Sequence, residues 1–397
     1  MKALVAASVV RNLAISVRDL SEQEIWLEAY DGNFAAQARA QGLLESISGV
    51  FAFVLNPTLG AVSDSFGRKP LMNFAPVVST FSCSLMAWRP AIPALVFRRF
   101  CSPLANTPWH SGENACLADL FKGDSASYGL AKGEINTMIS VTKIFGPILG
   151  GYLGAISPSL PWWVSAFAFA VMATIIKLFV HETLEPAHRV PFKWRRSSNP
   201  LSFLALFRRG PRLRTLVCLH IWRDIFGGRR ATHRYEHLHL TQRFGWAIAE
   251  RMRYSSFRSF CDVPANALSG RLLHHIGVEK ALILGQATAI IEQMLAGLAS
   301  TGWHFYLLQP FRITVDVGQL ALDWTATSIG AESKIPQGEL QAALNSISKL
   351  VGIGTPLLWA TIYAYGVRIG VPSLFYYASA AGGIVQMAML RVLISMQ

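Results

Sequence analysis

The sequence predicts an all-α, polytopic membrane protein, and three observations carry that expectation. Only 15% of the 397 residues are charged and 52% are hydrophobic, whereas a soluble domain is about a quarter charged. Mean hydropathy is positive, at +0.35. Apolar stretches also recur at span length, and roughly 20 apolar residues cross the hydrocarbon layer. Lipid offers no partner to a bare N–H or C=O, so the crossing segments must be helices that satisfy their own backbone.

The elements follow in order. Residues 3–17 are apolar but short and contain Arg11. Asp19, Glu22, Glu24, Glu28 and Asp31 come next and read as an acidic loop. The first helix is therefore expected to be shortened, a cleaved leader being the other reading. Spans are expected at 41–63, 70–88, 91–121, 134–156 and 162–182, separated by Gly67 to Pro70, Arg89-Pro90 and Ser157-Pro158 with Pro161. Residues 183–211 carry a run of Arg and Lys with Pro186, Pro191 and Pro200, as a linker does. Residues 212–262 should hold two further helices but contain Arg223, Asp224, Arg229, Arg230, Arg234, Arg251, Arg253, Arg258 and Asp262. That density of charge cannot face lipid, so distorted helices or a divergent, degraded copy are the expectations there. Four more spans are expected at 280–300, 303–329, 338–363 and 371–395.

Charge and spacing add orientation and symmetry. The net charge of +13 gathers in the loop at Arg68-Lys69 and in the linker, which places both on the cytoplasmic side. No basic stripe with interleaved aromatics suggests nucleic acid. Gly60 and Gly67 recur as Gly270 and Gly277, 210 positions on, and Gly146-Pro147 recurs near Gly354-Thr355-Pro356. A duplicated six-plus-six architecture follows. It comprises about eleven or twelve crossings, with bundles at 1–182 and 212–397 joined by the linker at 183–211.

These motifs resemble a known family. Gly60-Ala-Val-Ser-Asp64-Ser-Phe-Gly67-Arg68-Lys69 is similar to the loop signature of the major facilitator superfamily. Gly146-Pro147-Ile-Leu-Gly150-Gly151 resembles the fifth-helix motif of its drug:proton antiporters. Ala118-Asp119-Leu120 with Tyr128-Gly129, Thr241 to Trp246 and Gln337 to Gln341 resemble the tetracycline-exporter-like subgroup. The resemblance covers roughly 41–182 and 238–395. It implies proton-coupled export of a small, amphipathic molecule through a midplane cavity; a monomer without a cofactor is expected.

Candidate residues sort by chemistry. Gly60 and Gly67 permit a tight turn and close helix approach. Asp64 beside Arg68 can form a latch, the alternative being a basic turn that only sets topology; the resemblance adds Lys69 and Asp119. Gly146, Pro147, Gly150 and Gly151 give a close-packed, pliable helix or ordinary small-residue packing. Charges within spans mark either internal pairs or a wet cavity: Arg99, Glu113 with the adjacent Asn114, Arg312, Asp316 and Asp323. The resemblance links Arg99 to proton coupling. Arg312 and Asp316 are four apart and can neutralise each other. His233, His237 and His239 are expected on a solvated loop, as are His274 and His275, and no metal site is expected. No phosphate-binding loop or catalytic constellation points to an ATP-driven pump or an enzyme. The alternative to transport is a receptor or scaffold that keeps the fold.

Overall fold

The computed structural model describes residues 1–121, 125–184, 189, 202–227, 229–333, 335 and 337–396. Among them there are α-helices, short 3₁₀ turns and no strand. The first six helices are α1 (Lys2–Ala29), α2 (Phe34–Phe66), α3 (Arg68–Trp88), α4 (Ile92–Leu120), α5 (Ser125–Ile156) and α6 (Leu160–Phe179). The next four are α7 (Pro211–Phe226), α8 (Arg229–Phe244), α9 (Ile248–Ile276) and α10 (Val278–Leu298). The last four are α11 (Trp303–Leu307), α12 (Arg312–Glu332), α13 (Gln337–Arg368) and α14 (Leu374–Ser395). Six described helices or parts of helices are long and apolar enough to cross a membrane on length and composition alone. The others carry more charge, and several of those charges are paired, as α1 illustrates.

The chain forms two compact units. The first holds Met1–Gly32, Val50–Pro200 and Ile248–Phe260; the second holds Asn33–Gly49, Leu201–Ala247 and Cys261–Gln397. Helices α2 and α9 thus contribute a part to each. Within the first unit α1 packs on α5 and α6, while α3 packs on α4 and α6. Within the second, α7 packs on α13 and α14, while α10 packs on α12 and α14. The two packing schemes coincide when α7 with α8 is counted as one span and α11 with α12 as another. The duplication is also written in the backbone. Gly67 (φ 108°, ψ 162°) joins α2 to α3, and Gly277 (φ 84°, ψ 156°) joins α9 to α10. A positive φ here excludes most side chains.

Helix α1 differs from the sequence expectation. Its 28 residues extend about 42 Å at 1.5 Å per residue, and the acidic stretch after residue 17 is helical through Ala29. Glu22 meets both Arg98 and Arg99 of α4, and Glu24 meets Arg251 of α9. Each acid has a cation partner brought by another helix, so no loop is needed to hydrate it. Ala7 and Ala14 are fully buried on α1, and Ser165 of α6 donates to the Ala14 carbonyl at 2.7 Å. On α5, Gly146 faces Ser16, and a Cβ at Gly150 would lie 2.7 Å from the Val17 carbonyl carbon. Gly151 faces Met252 of α9, and Pro147 is buried.

The region 212–262 is mostly helical, with breaks after Phe226, between α7 and α8, and at 245–247, between α8 and α9. Carbonyls freed by the first break find donors: Trp359 Nε1 to Ile225 O at 2.7 Å and Ser379 Oγ to Phe226 O at 3.4 Å. Several of the region's charges are paired. Arg223 lies 3.4 Å from Asp224 and 3.7 Å from Asp323, Arg251 holds Glu24, and Asp262 lies 2.5 Å from Arg312. The side chains of Arg229, Arg230, His233 and Arg234 lie outside the described residues.

Two further expectations change. His237 and His239 are not on a solvated loop but buried on α8. The His239 ring lies 5.5–6.3 Å from Phe244, Phe305, Phe375 and Tyr376, so it packs as one more aromatic ring. His274 and His275 are exposed, as expected, but end α9 rather than occupy a loop. Among the described residues no three potential ligands gather as a metal site. Most of the basic linker at 183–211, and the side chains of Tyr128, Gly129, Gln337 and Gln341, lie outside the described residues.

Candidate functional site

The start of α3 gathers the loop signature. Gly67 turns the chain so abruptly that α3 begins one residue after α2 ends. Asp64 then sits one turn from Arg68, and the two form an ion pair. Arg68 Nη1 also donates to Ser63 Oγ at 3.0 Å, and Arg68 Nε lies 3.6 Å from Asp119 Oδ2 at the end of α4. Thr183 donates to the same Asp119 oxygen at 3.2 Å. The arginine therefore joins α2, α3 and α4. Gly60 lies within α2 two turns earlier, with its surroundings outside the described residues.

A fourth participant, Glu182, was not singled out by the sequence reading. It follows α6, and its carboxylate accepts the backbone N–H groups of Arg68 at 2.9 Å and Lys69 at 3.1 Å. It also accepts the N–H of Leu184 at 3.0 Å. Helix N-termini leave N–H groups without intrahelical partners and favour an anion. Gly67 offers no side chain to cap them, so the acceptor must come from elsewhere in the chain. That missing cap is the signal the sequence did carry. A Cβ at Gly67 would approach Glu182 Cδ to 2.9 Å, so glycine is needed both for the turn and for the acid's approach. Burial pushes the Glu182 carboxyl upward, but the N–H groups of Leu184, Arg68 and Lys69, with Arg189 nearby, outweigh it. The net effect holds it below the ordinary carboxylate range.

Within the first unit, charges at span depth form two groups. In one, Glu22 bridges Arg98 and Arg99. Arg18 lies over the rings of Trp162 and Phe169 at 5.8 and 5.3 Å, and Arg98 lies over Trp162 at 5.3 Å. Arg99 thus belongs to a packed cation–acid–aromatic cluster. In the other, Arg11 Nη2 donates to Asn106 Oδ1 at 2.8 Å and lies 3.4 Å from His110 Nε2. Glu113, 3% exposed, accepts the Ser8 hydroxyl at 2.5 Å. Asn114, the next residue, is exposed. Arg98 and Arg99 turn to Glu22, while Glu113 faces α1.

Within the second unit, Arg312 reaches Asp262 of α9, and Asp316 one turn along is half-buried. Asp323 is exposed, accepts from Gln319 Nε2 at 3.0 Å and lies 3.7 Å from Arg223. Asp224, which the sequence reading named only among the charges of 212–262, takes a hydrogen bond from Ser348 of α13 and lies beside Arg223. The structure therefore unites Asp64, Arg68 and Asp119, while Arg99 meets Glu22, Asp323 meets Arg223 and Arg312 meets Asp262. This arrangement has the chemistry of exchangeable ion pairs.

Comparison with known proteins gives a consistent picture. A family profile described as Major Facilitator Superfamily matches residues 21–229. The class B tetracycline resistance protein of Escherichia coli is 24% identical over 341 residues, covering 83% of this chain and 80% of that protein. The bovine major facilitator superfamily domain-containing protein 10 is 26% identical over 352 residues, covering 81% and 72%. Among solved structures, the human organic anion transporter MFSD10 superposes with a TM-score of 0.74 at 19% identity over 98% of each chain. A POT family transporter bound to 5-aminolevulinic acid gives 0.75 at 10% identity, covering 99% of this chain and 95% of that one.

Proposed function

Because the chain belongs to the major facilitator superfamily, we propose that it is a proton-coupled secondary transporter moving a small, amphipathic molecule by alternating access. It is an integral, multi-pass membrane protein with two six-helix bundles, and its relatives are transporters. The proton coupling, the class of cargo and the roles of individual residues are our reading. They rest foremost on the ion-pair latch at the start of α3.

The latch suits a reversible gate because its parts are individually weak. An exposed or half-exposed ion pair contributes about 0.2–1 kcal/mol, and a helix cap about 0.5–2 kcal/mol. Contacts of that size can be given up in one state and replaced in another, which a two-state cycle requires. Arg68 serves as the hub, Asp64 and Asp119 as alternative acceptors, and Glu182 as the cap that keeps Arg68 and Lys69 in position. Gly146, Pro147, Gly150 and Gly151 let α5 lie close against α1 and α9 while retaining pliability. Glu113 is the coupling acid in this reading, since it is an acid at span depth beside a polar helix face. Asp316 and Asp323 are the carboxylates to test after it.

Tetracycline is a sensible first solute, because tetracycline resistance proteins are relatives; an organic anion is the second, since MFSD10 is titled an organic anion transporter. Purified protein in liposomes under an imposed proton gradient should accumulate one of them, and collapse of the gradient should abolish accumulation. A folded protein that moved no solute across a broad panel would favour the receptor or scaffold reading.

A further inference from the structure

Helix α4 changes character along its open face. Near its start the exposed side chains are Phe97 and Phe100, as on α3, α5 and α6, where Phe74, Phe81, Phe145, Tyr152, Trp163 and Phe167 are exposed. Farther along, Ser102, Asn106, His110 and Asn114 recur every fourth residue, so they share one side of the helix. His110 and Asn114 are exposed and Asn106 is half-buried. Polar side chains at span depth are costly against acyl chains and belong on a wet or polar-lined surface.

Arg11 joins this stripe from α1. It is 6% exposed, and Nη2 is anchored by Asn106 at 2.8 Å with His110 Nε2 at 3.4 Å. Asn106 is held in turn by its Nδ2 donating to Ser102 Oγ at 2.8 Å. Arg98 and Arg99 differ, because Glu22 takes both. Arg18 differs as well, because it lies over aromatic rings and donates to Cys83 Sγ at 2.6 Å. Around the Arg11 fork stand neutral side chains of the stripe, Asn106 and His110. The acid nearby, Glu113, is buried, accepts from Ser8 and also acts on Arg11 by its charge.

We propose that Arg11, with Asn106, His110 and Asn114, forms a binding subsite for the anionic oxygens of a small solute, a carboxylate or sulfonate. A planar guanidinium presents parallel N–H donors that match two oxygens. The Asn114 amide and the His110 ring, one turn apart on the stripe, supply further polar contacts. Asn106 sets the orientation of the fork. The inference rests on the transport reading for its purpose, but the subsite is defined by Arg11 and is tested without flux.

The test places a cysteine at residue 114 of the full chain and measures its modification by methanethiosulfonate reagents carrying a sulfonate or a trimethylammonium group. Rates are taken as the increase over the parent protein. The sulfonate reagent should be favoured, and R11Q should lower the sulfonate-to-ammonium rate ratio about tenfold, while R11K keeps most of it. Benzoate should slow modification, and neutral benzamide should not. A ratio indifferent to Arg11, or equal protection by benzamide, would reduce the stripe to structural hydrogen bonding and overturn the proposal. If R11Q does not fold, the benzoate and benzamide comparison on the Arg11 parent decides alone. A chain that carried no solute in liposomes yet kept the Arg11-dependent preference would lose the transport reading and retain the anion subsite.

Discussion

At the scale of single residues, the proposed latch involves one guanidinium and three carboxylates, and their tasks can be separated. Asp64 pairs with Arg68 at the surface, so Asp64→Asn should leave expression and folding nearly unchanged while flux per folded molecule falls severalfold. Unchanged flux would reduce the loop to a topology signal. Glu182 acts through backbone N–H groups, so Glu182→Gln should lower thermal stability, by about 1 kcal/mol as for other helix caps. Its folded carboxyl lies below the ordinary value of 4.5. The stabilisation is therefore whole above that value and fades as pH falls through the depressed one. Melting curves of the two proteins should differ by a constant amount at neutral pH and converge in acid. Divergence on acidification would contradict the cap. Glu113→Gln should abolish accumulation driven by a proton gradient but leave solute binding intact. Accumulation with its pH dependence preserved would transfer coupling to Asp316 or Asp323.

At the scale of helices, the glycines of α5 make unlike demands. Gly150 abuts the backbone of Val17, whereas nothing lies within 4 Å of a Cβ at Gly133 on the same helix. Gly150→Leu should destabilise by more than the usual 1–3 kcal/mol of overpacking, because the opposing atoms are main chain and cannot rotate away. Gly133→Leu should be tolerated; equal yields of monodisperse protein from the two variants would refute that packing account. The same helices show what the sequence could and could not convey. Gly67 and Gly277 were legible, because a repeated glycine at a helix junction reports a backbone demand that only glycine meets. The acidic stretch of α1 was not, because Glu22 and Glu24 are stabilised by Arg98, Arg99 and Arg251, some 70 to more than 200 positions away. Local hydropathy counts such acids as exposed. The helices at 211–276 were obscured for the same reason, since Arg223, Arg251 and Asp262 find partners far along the chain. Glu182 was hidden because its partners are main-chain groups that no side-chain pattern advertises.

At the scale of the whole molecule, a duplicated bundle architecture, basic loops and a latch at the α2–α3 turn form one account. From loop charge, residues 64–69 and 183–211 are expected on the cytoplasmic side. Single cysteines there should resist an impermeant reagent in sealed cells, and one at residue 24 should not be shielded by the bilayer. Labelling of the linker from outside would invert the orientation. Transport itself is tested most directly by solute flux in liposomes under an imposed proton gradient, comparing the wild-type chain with Asp64→Asn and Glu113→Gln. The account predicts gradient-dependent accumulation by the wild type, slowed by the first substitution and uncoupled by the second. Accumulation that ignored the gradient, or that both variants matched, would contradict it.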